Sequence, residues 1–326
     1  SSATGSRVPS MSAKSSSLLE SPPSTETTVV TARAWDGQQW GAPTSAAFVI
    51  AAELADSSNQ VISEIMYHPA DPSAAEISAG YNDDDFFEFI EIRNISGVDI
   101  VLHGLRLSKG VDVDLVGTLT PGESGVVVAD LGAFQMRYGT GHKIIAEWEA
   151  GDKLDNGGEM IRMRDGNNDI VREFTYDDVP DWPTSPDGSG YSLVLVDPFS
   201  QPDHNDPFSW RPSAAIDGNA GTTDSTTFGG GDNTALLNYA TTGVLPTTIT
   251  LPDGTLSVTV HLNQFAEDIE GALEMSTDLI TWFPADPLLT RSNVTETSGG
   301  FANVTFTAAP PLADPVLFVR YTVQLR

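Results

Sequence analysis

An all-β protein built of antiparallel sandwiches is the fold class this sequence predicts, and three observations predict it. Turn signals recur every roughly 8–12 residues, among them Asp36-Gly37, Pro121-Gly122, Asn156-Gly157-Gly158 and Asp165-Gly166. The stretches between them are short and rich in β-branched and aromatic residues, with hardly any helical periodicity. Two late stretches alternate strictly, Leu256, Val258, Val260, Leu262 and then Leu317, Val319, Tyr321, Val323, Leu325. Such alternation puts one face of a strand in a core and the other in water.

Taken in order, residues 1–28 are rich in Ser, Thr and Pro with one apolar spot at Leu18-Leu19. They bury too little to offset chain entropy and are expected to be disordered or a linker. Val30, Ala32 and Ala34 then alternate with polar neighbours before the Asp36-Gly37 turn, and a second short strand through Ala46 to Ile50 completes a hairpin. Strands are expected over residues 61–67, stopped by His68-Pro69, and over 86–93, then around Leu105 and Leu107 and over 125–129. Residues 133–138 read as the one short helix, since Phe134 and Tyr138 share a face and Gly139 suits its end. Strands follow at 160–163, 171–176 and 191–196. A Gly-, Thr- and Asp-rich stretch at 222–233 reads as a flexible linker before a last module that starts near Leu236.

Charge narrows the function. With 45 acidic and 16 basic residues the net charge is −29. A field of that sign repels nucleic acid and anionic lipid, so no nucleic-acid partner is expected. Solubility outside the cell is the simpler reason for the acidity. No cysteine is present, which removes disulfides, thiolate metal sites and thiol catalysis together. No apolar run approaches the roughly 18 residues that a helix needs to cross a bilayer, so membrane insertion is not expected. The chain opens without Met or a signal-peptide pattern and reads as a processed or excised piece of something longer.

Candidate chemistry is sparse. Asp83-Asp84-Asp85 follows an Ala/Gly loop, and oxygen-rich loops suit Ca²⁺; a solvated acidic turn is the favoured alternative. Asp165-Gly166-Asn167-Asn168-Asp169 begins like an EF-hand loop, but Ile170 and Tyr176 stand where that loop needs Gly and Glu, so a hairpin turn is expected. Glu88 and Glu91 lie three apart on a strand and point to opposite faces, so they cannot act as a hydrolytic pair unless the fold supplies another partner. His68, His103, His142, His204 and His261 show no metal-ligand spacing. Gly188-Ser189-Gly190 is too short for a nucleophile elbow. Trp35, Trp40, Trp148, Trp182 and Trp210 could stack on sugars, though sandwiches usually bury such rings. Asn94, Asn293 and Asn303 head Asn-x-Ser/Thr triplets that are read as chance. No catalytic, cofactor-binding or metal-ligating residue is assigned.

An ordered series of motifs carries a resemblance over about half the chain. It runs from Ile62-Ser63-Glu64-Ile65-Met66-Tyr67-His68-Pro69 and Phe87-Glu88-Phe89-Ile90-Glu91-Ile92-Arg93-Asn94 through Leu105-Arg106-Leu107 and Leu119-Thr120-Pro121-Gly122. Leu154-Asp155-Asn156-Gly157-Gly158-Glu159, Phe174-Thr175-Tyr176, Trp182-Pro183, Gly190-Tyr191-Ser192-Leu193 and Ser209-Trp210-Arg211 complete it. These residues resemble the bacterial lamin-tail domain family, in the form found in large planctomycete- and verrucomicrobial-type surface proteins. The resemblance implies an immunoglobulin-like β-sandwich without catalytic residues. Glu64, Glu88, Glu91 and Asn94 fall on typical polar positions of that family, with no binding role attached. Residues 29–50 are similar to the end of the sandwich that closes chitobiase-type enzymes, and 273–282 to a C-terminal sandwich of the same surface proteins. Residues 232–240 resemble a linker that often precedes it and often binds Ca²⁺, without that linker's paired aspartates.

The organisation expected is therefore a disordered or linker segment at 1–28, a partial hairpin at 29–57, a lamin-tail-like sandwich at 58–221, a flexible linker at 222–235 and a second sandwich at 236–326. The expected function is a non-catalytic structural or adhesive module of an exported, secreted or cell-surface bacterial protein, with a protein or polysaccharide partner. The alternative is a carbohydrate-binding accessory to an enzyme lost from this fragment.

Overall fold

A computed structural model describes residues 28–33, 39–48, 52–251, 255–286, 288–297, 300–308 and 318–326. Trp35, Asp36-Gly37, Leu18-Leu19 and Leu317 lie outside the described residues. The protein is all-β: short strands in several sheets, with three short α-helices among the described residues. No helix among them is long and apolar enough to cross a membrane. Two compact units divide the chain, residues 1–52 and 53–326.

In the first unit, strand Thr28–Ala32 pairs antiparallel with Thr44–Phe48, the hairpin expected there.

The second unit opens with a six-stranded sheet in the order Ile144–Glu147, Ser124–Val128, Phe89–Asn94, Gln60–Met66, Leu193–Leu195, Trp210–Pro212. All its pairings are antiparallel except that of Ser124–Val128 with Ile144–Glu147, which is parallel. A parallel pair needs a crossover, and helix Leu131–Tyr138 supplies it. Every residue of the central strand Gln60–Met66 is buried, so this sheet is covered on both faces.

Its inner face packs on a four-stranded sheet ordered Ile170–Thr175, Met160–Arg164, Arg106–Lys109, Val111–Asp114. Val61, Ile65, Ile90, Ile92, Leu107, Ile161, Met163 and Phe174 share that core. Each fully buried aliphatic or aromatic side chain there contributes about 1.5–3 kcal/mol. The outer face carries Met66, Phe89, Val126 and Val128, capped by Phe134 of the crossover helix and by Ala220.

The expected strands fall within a few residues of their places, whereas Asp99–Val101, Val111–Asp114, Ile144–Glu147 and Trp210–Pro212 were not expected, and one expected strand changes kind at its start. Phe86 and Phe87 belong to a 3₁₀ turn, Asp84–Phe87, and the strand begins only at Phe89. Two helices were not expected. Ala74–Ala79 is started by a capping box between Ser73 and Glu76. Asn233–Thr241 is capped by Asp232, whose side chain accepts the Ala235 N–H at 3.0 Å. Helix Ala74–Ala79 is tied to the crossover helix by Arg137, which forks onto Glu76 at 2.9 and 3.0 Å and lies 3.5 Å from the Phe87 ring centroid. That fork, more than any other contact, holds the Glu76 carboxyl down at about 2.

The C-terminal sandwich stacks a four-stranded sheet, Thr247–Thr250, Leu256–Asn263, Phe301–Ala308, Leu289–Glu296, on a three-stranded one, Phe283–Pro284, Ile269–Ser276, Phe318–Leu325. Val258, Val260, Leu273, Met275 and Leu289 form its core, with Val319 and Tyr321 packed against it. The stretch read as a linker lies along this sandwich: the Thr226 N–H donates to the Phe265 carbonyl at 2.7 Å, and the Phe228 N–H to Asp268 at 2.7 Å.

Candidate functional site

Three of the glutamates that the resemblance singled out are buried, and the fold pairs two of them. A bulge between Ile62 and Glu64 resets the register of the central strand so that Glu64 stands opposite Glu91. Glu64 is 1% exposed and Glu91 2%. Glu91 accepts the hydroxyls of Ser63 at 2.5 Å and Ser124 at 2.9 Å and the Gly221 N–H at 2.7 Å. Glu64 accepts the Ser192 hydroxyl at 2.5 Å and the Asn219 N–H at 3.0 Å, while its Oε2 has no partner among the described residues. Desolvation raises both carboxyls above the ordinary range; the charge of Glu91 raises Glu64 further, and the hydroxyls and N–H around Glu91 offset part of its own rise.

Glu88, in extended backbone one residue ahead of the strand, projects to the other face and accepts the Leu154 N–H at 2.9 Å. Burial pushes it up to about 9. The fold thus gives Glu91 the facing carboxylate that the sequence spacing alone denied it. Yet glycoside hydrolysis needs room between the two groups for a sugar and, in inverting enzymes, a water. Glu64 and Glu91 are sealed by the backbone of residues 219–221 and leave none.

The other predicted positions are dispersed. Asp83, Asp84 and Asp85 can bring one ligand atom each within 4.8 Å of one another, the one such acidic or His group among the described residues. All three are engaged: Asp83 caps its own 3₁₀ turn, Asp84 faces His68 Nε2 at 3.7 Å, and Asp85 bonds Lys153 at 2.8 Å. Asp165 closes the hairpin between Met160–Arg164 and Ile170–Thr175, accepting the N–H groups of Asn167 and Asp169, each at 2.9 Å.

The histidines keep separate company. His68 Nδ1 bonds Asp187 at 2.6 Å, His142 bonds the Tyr138 carbonyl at 2.7 Å, and His261 stacks on Phe301. His204 is buried between Phe174 and Trp210, with Nε2 3.1 Å from the Ile62 carbonyl; desolvation and then the nearby Arg172 charge depress it to about 3, so it stays neutral. His103 sits half-buried in a turn. Gly188 and Gly190 both take positive φ, making the Ser189 segment a turn. Asn94 is buried, and its amide donates to the carbonyls of Val98 and Leu119.

Trp148 and Trp210 are each 3% exposed, their indole N–H groups given to the carbonyls of Asp152 and His204. Trp40 is exposed. Trp182 is half-buried, backs onto Trp210 at 6.3 Å, and opens to a groove between the two sandwiches of the second unit.

That groove consists of adjoining cavities of about 300 and 420 Å³ that share Ser185, Arg211, Pro212, Gln264 and Glu296. The joint beneath it is polar, and its Arg211 and Arg93 contacts are desolvated. Arg211 forks onto Asp224, donates to the Gln264 carbonyl at 3.0 Å and lies 4.2 Å from the Phe265 ring centroid. Arg93 pairs with Glu267 at 2.7 Å, both largely buried. Arg291 donates to the Phe208 carbonyl at 2.5 Å, and Arg326 pairs with Asp197. No sequence signal marked this joint, because each partner lies in a different module. The chain matches no protein-family model, no curated protein and no solved structure.

Proposed function

We propose that this chain is a non-catalytic structural and adhesive module of a large exported bacterial surface protein, its first sandwich of the lamin-tail type. The observation that carries the reading is the joint: Arg93–Glu267 and the Arg211 network join two sandwiches through desolvated, directional contacts. Breaking either buried pair leaves an uncompensated charge, so the joint holds one geometry, as a spacer or display element requires. The strongly acidic composition suits solubility outside the cell. The Glu64–Glu91 pair has no space for a substrate, which supports a role without chemistry.

The absence of cysteine makes a direct test simple. Lys109→Cys and Thr248→Cys place one spin label on each sandwich, at exposed strand positions. A narrow distance distribution by pulsed electron paramagnetic resonance is expected. A broad one would remove the spacer reading.

A further inference from the structure

The groove at the joint has the composition of a ligand site, and its lining narrows the ligand. One wall comes from the first sandwich, with Trp182 and Tyr191; the other comes from the C-terminal sandwich, with Gln264, Asn293 and Glu296. Its volume falls in the range of small-molecule sites and is too small for a folded partner. The cation at its centre, Arg211, is already neutralised by Asp224 and occupied by two carbonyls, so it offers little to an anion. Asp181 and Glu296 at the rim add negative charge to a chain already at −29, which disfavours anionic ligands further. A wholly apolar ligand would strand the carboxamide of Gln264 and the carboxylate of Glu296 without partners.

What remains is a neutral molecule with a flat apolar face and an edge of hydroxyls. Trp182 offers an indole held from behind by Trp210, so that stacking on it costs little side-chain entropy. The carboxamide of Gln264 both donates and accepts, and the carboxylate of Glu296 accepts, which matches the edge of a sugar ring. Among the described residues, Glu296 makes no hydrogen bond with its side chain, leaving its oxygens for a ligand. A basic peptide would meet Asp181 and Glu296 but would leave the carboxamide of Gln264 half-used.

We propose that this groove binds a segment of neutral polysaccharide, stacked on Trp182 and hydrogen-bonded by Gln264 and Glu296. The site rests on the fixed joint of the spacer reading, because its two walls belong to different sandwiches.

The test is affinity gel electrophoresis of the full chain in gels containing soluble xylan, glucomannan, mixed-linkage β-glucan or alginate. Retardation is expected on at least one of the three neutral polymers and not on anionic alginate. Trp182→Ala should weaken it by about tenfold or more, the loss of one stacked ring. Should that variant melt early because Trp210 loses its neighbour, Glu296→Gln on the opposite wall serves instead, expected to weaken retention severalfold with an unchanged melting temperature. No retardation on any neutral polymer, retardation on alginate alone, or retention that neither substitution reduces would overturn the proposal. A narrow spin-label distance with no retardation removes the glycan site alone; a broad distance with no retardation removes the spacer reading as well.

Discussion

Glu64 and Glu91 are register partners on adjacent strands, and the backbone N–H groups of Asn219 and Gly221 reach down to close over both carboxylates. Two acids at this separation from water cannot both ionise without cost.

The pair makes stability depend on pH, with a definite sign. Each carboxyl titrates above its ordinary value of 4.5, chiefly through desolvation. The folded chain therefore keeps protons that the unfolded chain has released. The stabilisation is complete below the unfolded value and is lost as pH rises through the raised folded values. Glu64→Gln is expected to match the wild type near about pH 4.5 and to melt several degrees higher at about pH 8.5, at about 2–4 °C for each kcal/mol in a domain of this size. Thermal melts at the two pH values read this directly, and a wild-type advantage at the higher pH would refute it.

Gly218 sits over the same pair at a φ of +68°, and a Cβ there would come within 2.4 Å of Glu64 Oε1 and 2.9 Å of the Ser192 hydroxyl. Gly80 also has a positive φ, +108°, but faces open space. Gly218→Ala is expected to cost about 3 kcal/mol or more, and Gly80→Ala about 1–2 kcal/mol from backbone strain alone. Urea titrations of the two variants measure the difference. Equal losses would mean that the cover over Glu64 yields freely.

At the joint, Glu267→Ala strands Arg93 in a desolvated position and should destabilise the chain by about 3 kcal/mol. Replacing both partners, Arg93→Met with Glu267→Leu, should recover most of that loss, because no charge is then left unpaired. A double-mutant cycle by chemical denaturation gives the coupling. Additive losses would show that the two residues act independently.

Millimolar Ca²⁺ and EDTA are expected to give the same melting temperature. Asp85 is held by Lys153, Asp84 faces His68 and Asp83 caps its own turn, so an ion would have to displace existing partners. A Ca²⁺-dependent rise that is lost in Asp83→Asn would establish an ion site in this loop.

Much of the fold was legible in the sequence because strands with a buried face leave a local trace. Gln60–Met66, Ser124–Val128 and Met160–Arg164 fall where β-branched runs between turn signals placed them. The Ser73–Glu76 capping box of helix Ala74–Ala79 was also written in the sequence, but it lies in the Ala- and Gly-containing stretch before Asp83 that read as a loop. The opposite orientation of Glu88 and Glu91 was read from strand period, and it holds because Glu88, just ahead of the strand, already has extended backbone. Their partners could not be read that way. That Glu64 meets Glu91 depends on a bulge at Ser63, and a one-residue change of register reverses which face a side chain takes. Trp182 could be listed as an aromatic but not placed, since the groove it lines exists only where two modules meet.

The order of strands in the six-stranded sheet has a consequence for how such a module can be made and passed on. Its central strand, Gln60–Met66, lies between Phe89–Asn94 and Leu193–Leu195, and Ser192 meets Glu64 across 128 residues of chain. On the ribosome, one flank of that strand stays bare until the distant partner emerges, the stage at which foreign strands can add to it. A gene rearrangement that cut between the two would strand the same edge permanently. Recombination can therefore shuffle this module between proteins only as a whole.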